Sequence, residues 1–288
     1  MISIIIPTFN RANTIERSVL SILDQTYQDF ELIIIDDNSQ DETEVIVRRM
    51  NDKRIKYIKH ERNLGANAAR NTGVRAAKGE LIAFQDSDDK WHNDKLEIQL
   101  KALKDYNADI VACSYNRYKN DSVDLMPKES IKDSEIKKKL LYGSFISTQT
   151  VLGKKECFYN EEFDETLPRF QDWELMIRLS QKYNIHFINN PLVDVFLQED
   201  SLTKSHQKGL NALRLIKDKH NDLIKLDKYV EYRFYRMLAY ESNRSKDFTK
   251  NYYFKAWNLR KKEVEILLKG IFLELAKLKS KYIIDSGN

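Results

Sequence analysis

Leu81-Ile82-Ala83-Phe84-Gln85-Asp86-Ser87-Asp88-Asp89-Lys90 sets an apolar run of strand length directly against three carboxylates in four positions. Neighbouring acids repel and each loses hydration, so such a cluster at a strand end points to a site for a cation. The plainer reading is a solvated turn, and the surrounding hundred residues weigh against it. They alternate strand-like and helix-like segments. Residues 2–6 are a nearly continuous β-branched run broken by Pro7, and residues 31–35 form a second that ends on Asp36-Asp37. Between them Ile15, Val19, Ile22 and Leu23 recur at helical spacing over 13–24, with Asn13 as the expected cap and Glu16 completing a capping box. Helices are expected over 41–50, 65–77 and 91–103, and strands over 55–59 and 109–114. Runs apolar throughout, separated by helices, predict an α/β fold with a mainly parallel sheet flanked by helices. Ligands of such sheets bind beyond the carboxyl ends of the strands. Residues 7–11, Asp36, Asp37 and 86–89 are expected at that rim.

Past Ser114 the pattern changes. Residues 115–130 are polar with few periodic signals. Strands are expected over 147–152, 185–188 and 192–197, and a helix over 172–182 with Leu175, Met176 and Leu179 on one side. From His206 onward the chain reads as helical throughout. Val264, Leu268, Ile271, Leu275 and Leu278 step by four and three, a short apolar stripe, although Gly270 weakens that helix by roughly 1 kcal/mol.

The net charge of +4 hides an asymmetry: residues 206–288 hold 19 Lys and Arg against 10 Asp and Glu, net +9, and the remainder is net −5. The basic part points to an acidic partner such as a membrane surface or a nucleic acid, or else to a helical appendage with a solvated lysine face. Tyr229, Tyr232, Tyr235, Tyr240, Tyr252, Tyr253 and Trp257 fit either an amphipathic surface on a bilayer or the core of a helical hairpin. Cys113 and Cys157 have no C-x-x-C spacing and read as reduced core thiols. The opening residues lack a basic leader, and no uncharged run approaches the ~18 residues of a membrane span. A cytoplasmic location is therefore expected.

An α/β rim that binds phosphates often carries G-x-G-x-x-G or a P-loop, and neither is present. With only eight glycines, backbone amides are poor candidates to cradle a phosphate alone. A divalent cation on one or two carboxylates is the other common solution, and Asp86-Ser87-Asp88 suits it.

The ordered set Ile4-Ile5-Ile6-Pro7-Thr8-Phe9-Asn10-Arg11, Ile34-Ile35-Asp36-Asp37-Asn38-Ser39, Asn63-Leu64-Gly65-Ala66, Ala69-Arg70-Asn71 and Asp86-Ser87-Asp88-Asp89 closely resembles the family 2 glycosyltransferases, inverting enzymes with the GT-A fold. The resemblance is dense to about residue 115 and thinner to about Thr203. It implies a catalytic domain over 1–205, with a Rossmann-like nucleotide-sugar-binding half (1–115) and an acceptor-binding half (116–205), followed by a basic helical region over 206–288. It implies that Pro7 and Phe9 line the base pocket of a UDP-sugar and that Asp37 accepts from the uracil imide. Arg11, Asn63, Arg70, Asp86 and Ser87 would lie about the nucleotide, diphosphate or sugar. Asp88 would ligate Mn²⁺ or Mg²⁺. Phe170-Gln171-Asp172-Trp173-Glu174 resembles the family's acidic pair at a helix start, which makes Asp172 the base and Glu174 its nearest rival. The helix N-terminus is expected to favour ionised Asp172. Helix capping is the preferred reading for Asp36 and Asp41, and a helix-surface ion pair is the alternative for Arg70.

Two departures stand out. Gln171 occupies a position often Glu, and Gln198-Glu199-Asp200 stands where relatives often place a His, so one firm protein ligand to the metal is expected. His206 is near but displaced, and His60, His92, His186 and His220 show no ligand spacing. The Q-x-x-R-W signature of processive synthases is absent. The resemblance thus implies non-processive transfer of one hexosyl or N-acetylhexosaminyl unit to a saccharide or lipid-linked acceptor, in bacterial surface-polysaccharide assembly. Peripheral membrane contact or a homodimer through the C-terminal helices is the expected association, with no nucleic-acid partner. The rival readings are a metal-dependent phosphohydrolase and a non-catalytic membrane- or partner-binding module.

Overall fold

Strand β1 (Ile2–Thr8) is buried along its whole length and lies parallel between β2 (Phe30–Asp36) and β4 (Leu81–Phe84), with β3 (Ile55–Lys59) parallel outside β2. The structure, a computed structural model, describes residues 1–120, 122–197, 205–247 and 250–285, with side chains as far as Glu274. On one face of β1, Ile4 and Ile6 pack against Ile15, Val19 and Ile22 of helix α1 (Ile15–Leu23). On the other, Ile5 meets Gly73 of α3 (Ala66–Ala76), where any Cβ would run into the Ile5 side chain. Helix α2 (Thr43–Arg49) connects β2 to β3.

Beyond β4 the sheet turns mixed. β8 (Leu152–Lys154) is antiparallel to both β4 and β6 (Ile110–Lys119). β6 runs parallel to β9 (Ile185–Phe196), and β5 (Lys90–Trp91) closes the far edge antiparallel to β9. β7 (Ser122–Met126) folds back on the outer half of β6, giving the order β3-β2-β1-β4-β8-β6-β9-β5 with β7 on β6.

Several local expectations are corrected. The residue before α1 is Thr14, with no side-chain cap; the Arg11 carbonyl takes the amides of Thr14 and Ile15, so the Asn13–Glu16 capping box does not form. Trp91 is a buried strand residue paired with Val193, and helix α4 (Lys95–Asp105) starts four residues later. Residues 115–130, without periodic signal, supply the end of β6 and the β7 hairpin. The segment 147–152 is mostly a single 3₁₀ turn at Thr148–Thr150, and the strand lies just after it. The two closing strands are one, β9, whose register against β6 shifts about Ser114 and so hides the continuity at Asn190-Pro191. Helices α5 (Asp133–Leu140) and α6 (Lys155–Asn160) carried no readable pattern, whereas α7 (Gln171–Lys182) did. For Trp91, β7 and β9 the strand partner, not the local sequence, selects the conformation. Both cysteines are free and buried, and burial pushes the thiol of Cys113 up to about 11 and that of Cys157 to about 12.

The chain divides into two compact units, one of residues 1–140, 144–166 and 171–199, the other of 141–143, 167–170 and 200–288. The second contains α8 (His206–Lys219), α9 (Asn221–Lys225), α10 (Lys228–Arg244), α11 (Tyr252–Leu259) and α12 (Val264–Asp285). Ser205, Asp227 and Asn251 cap α8, α10 and α11 by accepting from first-turn amides. Tyr232, Ala256 and Ile266 form a core bordered by Tyr235, Tyr253 and Trp257, so part of the aromatic set serves the helical interior.

Candidate active site

The ends of β1 and β2 are stitched into one rim. The Asp37 amide donates to the Thr8 carbonyl (2.8 Å), the Asn10 amide to Ser39 Oγ (2.9 Å) and the Arg11 amide to Thr43 Oγ1 (2.8 Å). Asp36 is buried and accepts from the Ser39 amide (2.8 Å) and Tyr57 Oη (2.5 Å), so it braces the strand end and caps no helix. Asp41 is not the cap residue of α2, a position Glu42 holds without a side-chain cap; it accepts from the Thr43 amide at the start of that helix and from the Ala12 amide, both at 3.0 Å. Asp37 is also buried. Its Oδ1 meets His60 Nδ1 (2.9 Å) and the Leu64 amide (2.8 Å), and its Oδ2 accepts from the Gly65 amide (2.7 Å). A carboxylate offers about four lone-pair sites, so one direction on Oδ2 remains for a ligand N–H. Gly65 reaches this carboxylate at φ +93, a conformation that favours glycine. Pro7 is buried within β1, Phe9 and Asn63 are exposed, and Arg11 is half-buried.

The acids after β4 are held from below: the Ser18 hydroxyl donates to the Asp86 carbonyl (2.9 Å), and the Arg17 guanidinium donates to the Asp88 carbonyl. Ser87 is buried. Burial raises the pKa of Asp88, as does the neighbouring Asp86, against the opposing pull of Arg11 and Arg17. Asp89 accepts from the Phe196 amide (3.0 Å) but is pushed well above the usual carboxylate range, by burial first and then by Asp86 and Asp88. The cluster is therefore short of positive charge. Among the described residues no three His, Cys, Asp or Glu side chains converge as a full metal-ligand set. Asp86 and Asp88 would be the one or two carboxylates taken by an ion whose shell is completed with phosphate oxygens and water.

Arg70 is no surface residue: it is 5% exposed. Its Nη2 donates to Asp86 Oδ1 (2.7 Å), while buried Nε and Nη1 have no partner. Two guanidinium nitrogens without partners beside a cluster of strand-end acids mark a place for an anionic ligand. Asn67 and Asn71 donate to the carbonyls of Asp164 (2.9 Å) and Phe163 (3.0 Å), fixing the segment whose Phe163 ring lies 5.5 Å from the Arg70 guanidinium.

Asp172 stands in the first turn of α7 and accepts from the Trp173 amide (2.7 Å). Some of its surface meets solvent, yet protein surrounds its carboxyl closely and burial raises its pKa. The Trp173 amide and Arg70 oppose that rise, and Asp86 adds to it. Burial thus outweighs the expected effect of the helix N-terminus. The shared influence of Arg70 and Asp86 places Asp172 in the same electrostatic neighbourhood as the strand-end acids. Asp172 also borders a small recess lined by Phe84, Thr148, Phe163 and Met176. Glu174 is fully buried and bound by Arg178 (Nε to Oε1, 3.0 Å), which removes it as a rival base.

Three side chains were missed in the sequence. His60 orients Asp37 and is itself held by Thr72 Oγ1 (3.1 Å). Tyr115, mostly buried on β6, has its pKa raised by burial and by Asp172 and Asp89, so both acids act on it. Arg17 sits with its guanidinium 4.0 Å from the Phe196 ring. None has a spacing signature, because each arrives from a different element. His206 belongs to the helical unit, where its Nδ1 meets Glu241 Oε2 (2.8 Å). Gln198-Glu199-Asp200 lie outside the described residues.

A family model described as glycosyl transferase family 2 matches residues 3–167, more than half of the chain. The chain belongs to this family. A relative from Campylobacter jejuni, named GalNAc(5)-diNAcBac-PP-undecaprenol beta-1,3-glucosyltransferase, is 30% identical over 86% of the chain and 84% of its own length. Against two rickettsial glycosyltransferases matched at 35% and 36% identity, the chain spans only 29% and 32% of their length. Among solved structures, S. aureus TarS 1-349 in complex with UDP-GlcNAc superposes with a TM-score of 0.62 at 20% identity, over 88% of this chain and 75% of that one. The mannosyltransferase PcManGT from Pyrobaculum calidifontis, solved with GDP-Man and Mn²⁺, gives a TM-score of 0.60 at 18% identity over 98% and 82%. The family 2 chain therefore has the GT-A fold, with helices appended.

Proposed function

We propose that this family 2 chain transfers a single hexosyl or N-acetylhexosaminyl unit from a UDP-sugar to a saccharide or lipid-linked acceptor, with inversion, in bacterial surface-polysaccharide synthesis. The observation that carries the reading is Asp172 sharing one field with Asp86 and with an Arg70 that keeps two buried guanidinium nitrogens unused. The acceptor hydroxyl loses its proton to Asp172 as its oxygen attacks the anomeric carbon, on the face opposite the departing UDP. Arg70 receives diphosphate oxygens on Nε and Nη1. The free direction on Asp37 accepts the imide N–H of uracil, with Pro7 and Phe9 beside the base and Arg11, Asn63 and Ser87 around the nucleotide. Asp88 would hold Mn²⁺ or Mg²⁺, which when bound neutralises charge on the leaving diphosphate. Residues 1–115 then serve the donor, 116–205 the acceptor, and 206–288 a peripheral location on the inner face of the membrane. The C. jejuni relative's undecaprenol-linked substrate supports a lipid-linked acceptor.

The test is Asp172→Asn, assayed for transfer from labelled UDP-sugars and for UDP affinity by calorimetry. Turnover is expected to fall about 10²–10⁴-fold with UDP affinity kept. Unchanged turnover would remove Asp172 as the base.

A further inference from the structure

The exposed face of the helical unit carries a pattern that the transfer chemistry does not use. Along α10, Tyr229, Arg233, Arg236, Tyr240 and Arg244 recur by four, three, four and four, a single helical stripe. The guanidiniums lie against tyrosine rings: Arg233 is 5.2 Å from the Tyr142 centroid, Arg236 5.8 Å from Tyr232 and Arg244 5.9 Å from Tyr240. Arg233 also donates to Tyr229 Oη (3.0 Å) and Arg236 to Tyr232 Oη (3.3 Å). Neither Arg233 nor Arg236 forms an ion pair with a carboxylate among the described residues. Of the two acids on α10, Glu241 is buried and taken by Arg169 and His206. The stripe is thus cationic and aromatic, its arginines set against tyrosine rings and without a direct carboxylate ion pair among the described residues.

The first turn of α12 reaches the same core, because Ile266 packs into the Tyr232 cluster and Arg236 acts on both Glu265 and Lys269. Here the helix is apolar on two faces. Ile266 and Leu273 are buried, while Val264 (58%), Leu268 (60%), Ile271 (42%) and Phe272 (76%) face solvent. No helix among the described residues is long and apolar enough to cross a membrane.

We infer that α10 and α12 dock the helical unit onto an anionic phospholipid bilayer, the arginines binding lipid phosphates and Leu268 and Phe272 entering the acyl boundary. Tyrosine suits that depth, with an apolar ring and a polar tip. The basic excess of residues 206–288 complements such a surface. A second copy of this chain fits less well, since a two-fold interface would set equal arginine stripes against each other. A nucleic acid would engage the arginines and leave the apolar stripe in water. The inference rests on the peripheral location proposed above for residues 206–288 and is independent of the donor, the base and the metal.

The test is co-sedimentation of the intact protein with vesicles of phosphatidylcholine alone or with 30% phosphatidylglycerol, at low and high salt, plus sedimentation velocity without lipid. Binding to anionic vesicles is expected, weakened by salt. Each lipid-facing arginine contributes about fivefold, so Arg233→Gln/Arg236→Gln/Arg244→Gln should bind roughly a hundredfold more weakly. Leu268→Ser/Phe272→Ser removes insertion instead, with a loss of about tenfold or more. Both lie on an exposed face, and unchanged melting temperatures would confirm intact folding. Equal partition onto both vesicle types would overturn the inference. So would wild-type affinity in both variants, or a lipid-free dimer that Leu268→Ser/Phe272→Ser dissociates.

Discussion

Lys95 offers a sharp test of the physical description of the catalytic unit. It is fully buried at the start of α4, its Nζ 3.8 Å from the Trp91 ring centroid and 2.6 Å from Gln99 Oε1, with no carboxylate in contact among the described residues. Burial lowers its pKa from 10.5 to about 8. Each tenfold loss of proton affinity corresponds to about 1.4 kcal/mol, so the ammonium costs the fold about 3 kcal/mol at neutral pH. The sign follows from proton uptake. Between about pH 8 and 10.5 the unfolded chain binds the proton and the folded chain does not. Stability must therefore rise with pH across that window. Lys95→Met keeps the volume and removes the amine, leaving Gln99 Oε1 to re-pair. The assay is urea unfolding followed by tryptophan fluorescence, for wild type and variant at pH 7 and pH 9.5. Only the difference between the two proteins matters, because tyrosines and other lysines titrate in both. Wild type should gain about 2 kcal/mol relative to Lys95→Met between these pH values. Parallel stability curves would refute the reasoning, showing that the cation–ring contact and the Gln99 hydrogen bond fully replace hydration.

Arg70→Gln should weaken UDP affinity about 10- to 100-fold by removing charge-assisted donors, read by calorimetry. Asp88→Ala should abolish the increment in UDP affinity that Mn²⁺ confers while leaving the metal-free affinity near wild type, read in the same titration with and without the ion. The acid limb of the pH–rate profile should lie above the ordinary carboxylate range, since burial raises Asp172 and protonation of the base as pH falls removes activity. Gly73→Ala should destabilise by about 1–3 kcal/mol, because the added methyl collides with Ile5 where α3 crosses β1; thermal unfolding measures it.

The acids at 86–89 were legible because a strand and its carboxylates are consecutive in the chain, and the parallel half followed from runs that are apolar on both faces. The rest of the site depended on partners far apart in sequence. Arg70 reads as an exposed helix residue until α3 is packed, whereupon its guanidinium is buried against Asp86. His60 shows no ligand spacing, yet the close of β3 brings its ring to Asp37. Asp36 resembles a helix cap and instead ties Ser39 to Tyr57. Glu174 equals Asp172 as an acid on paper, and only the Arg178 contact takes it out of reach.

Local chemistry by itself determined the strand–helix alternation, the carboxylates at the end of β4 and the helical character beyond His206, since these rest on side-chain period and on residues adjacent along the backbone. Tertiary structure alone decided the mixed half of the sheet, where hydrogen-bonding partners more than 40 residues away make Trp91 a strand residue and join two apparent strands into β9. It also decided which charges are buried, and hence which acids hold their protons, because desolvation is set by every atom that surrounds a group and not by its neighbours in the chain.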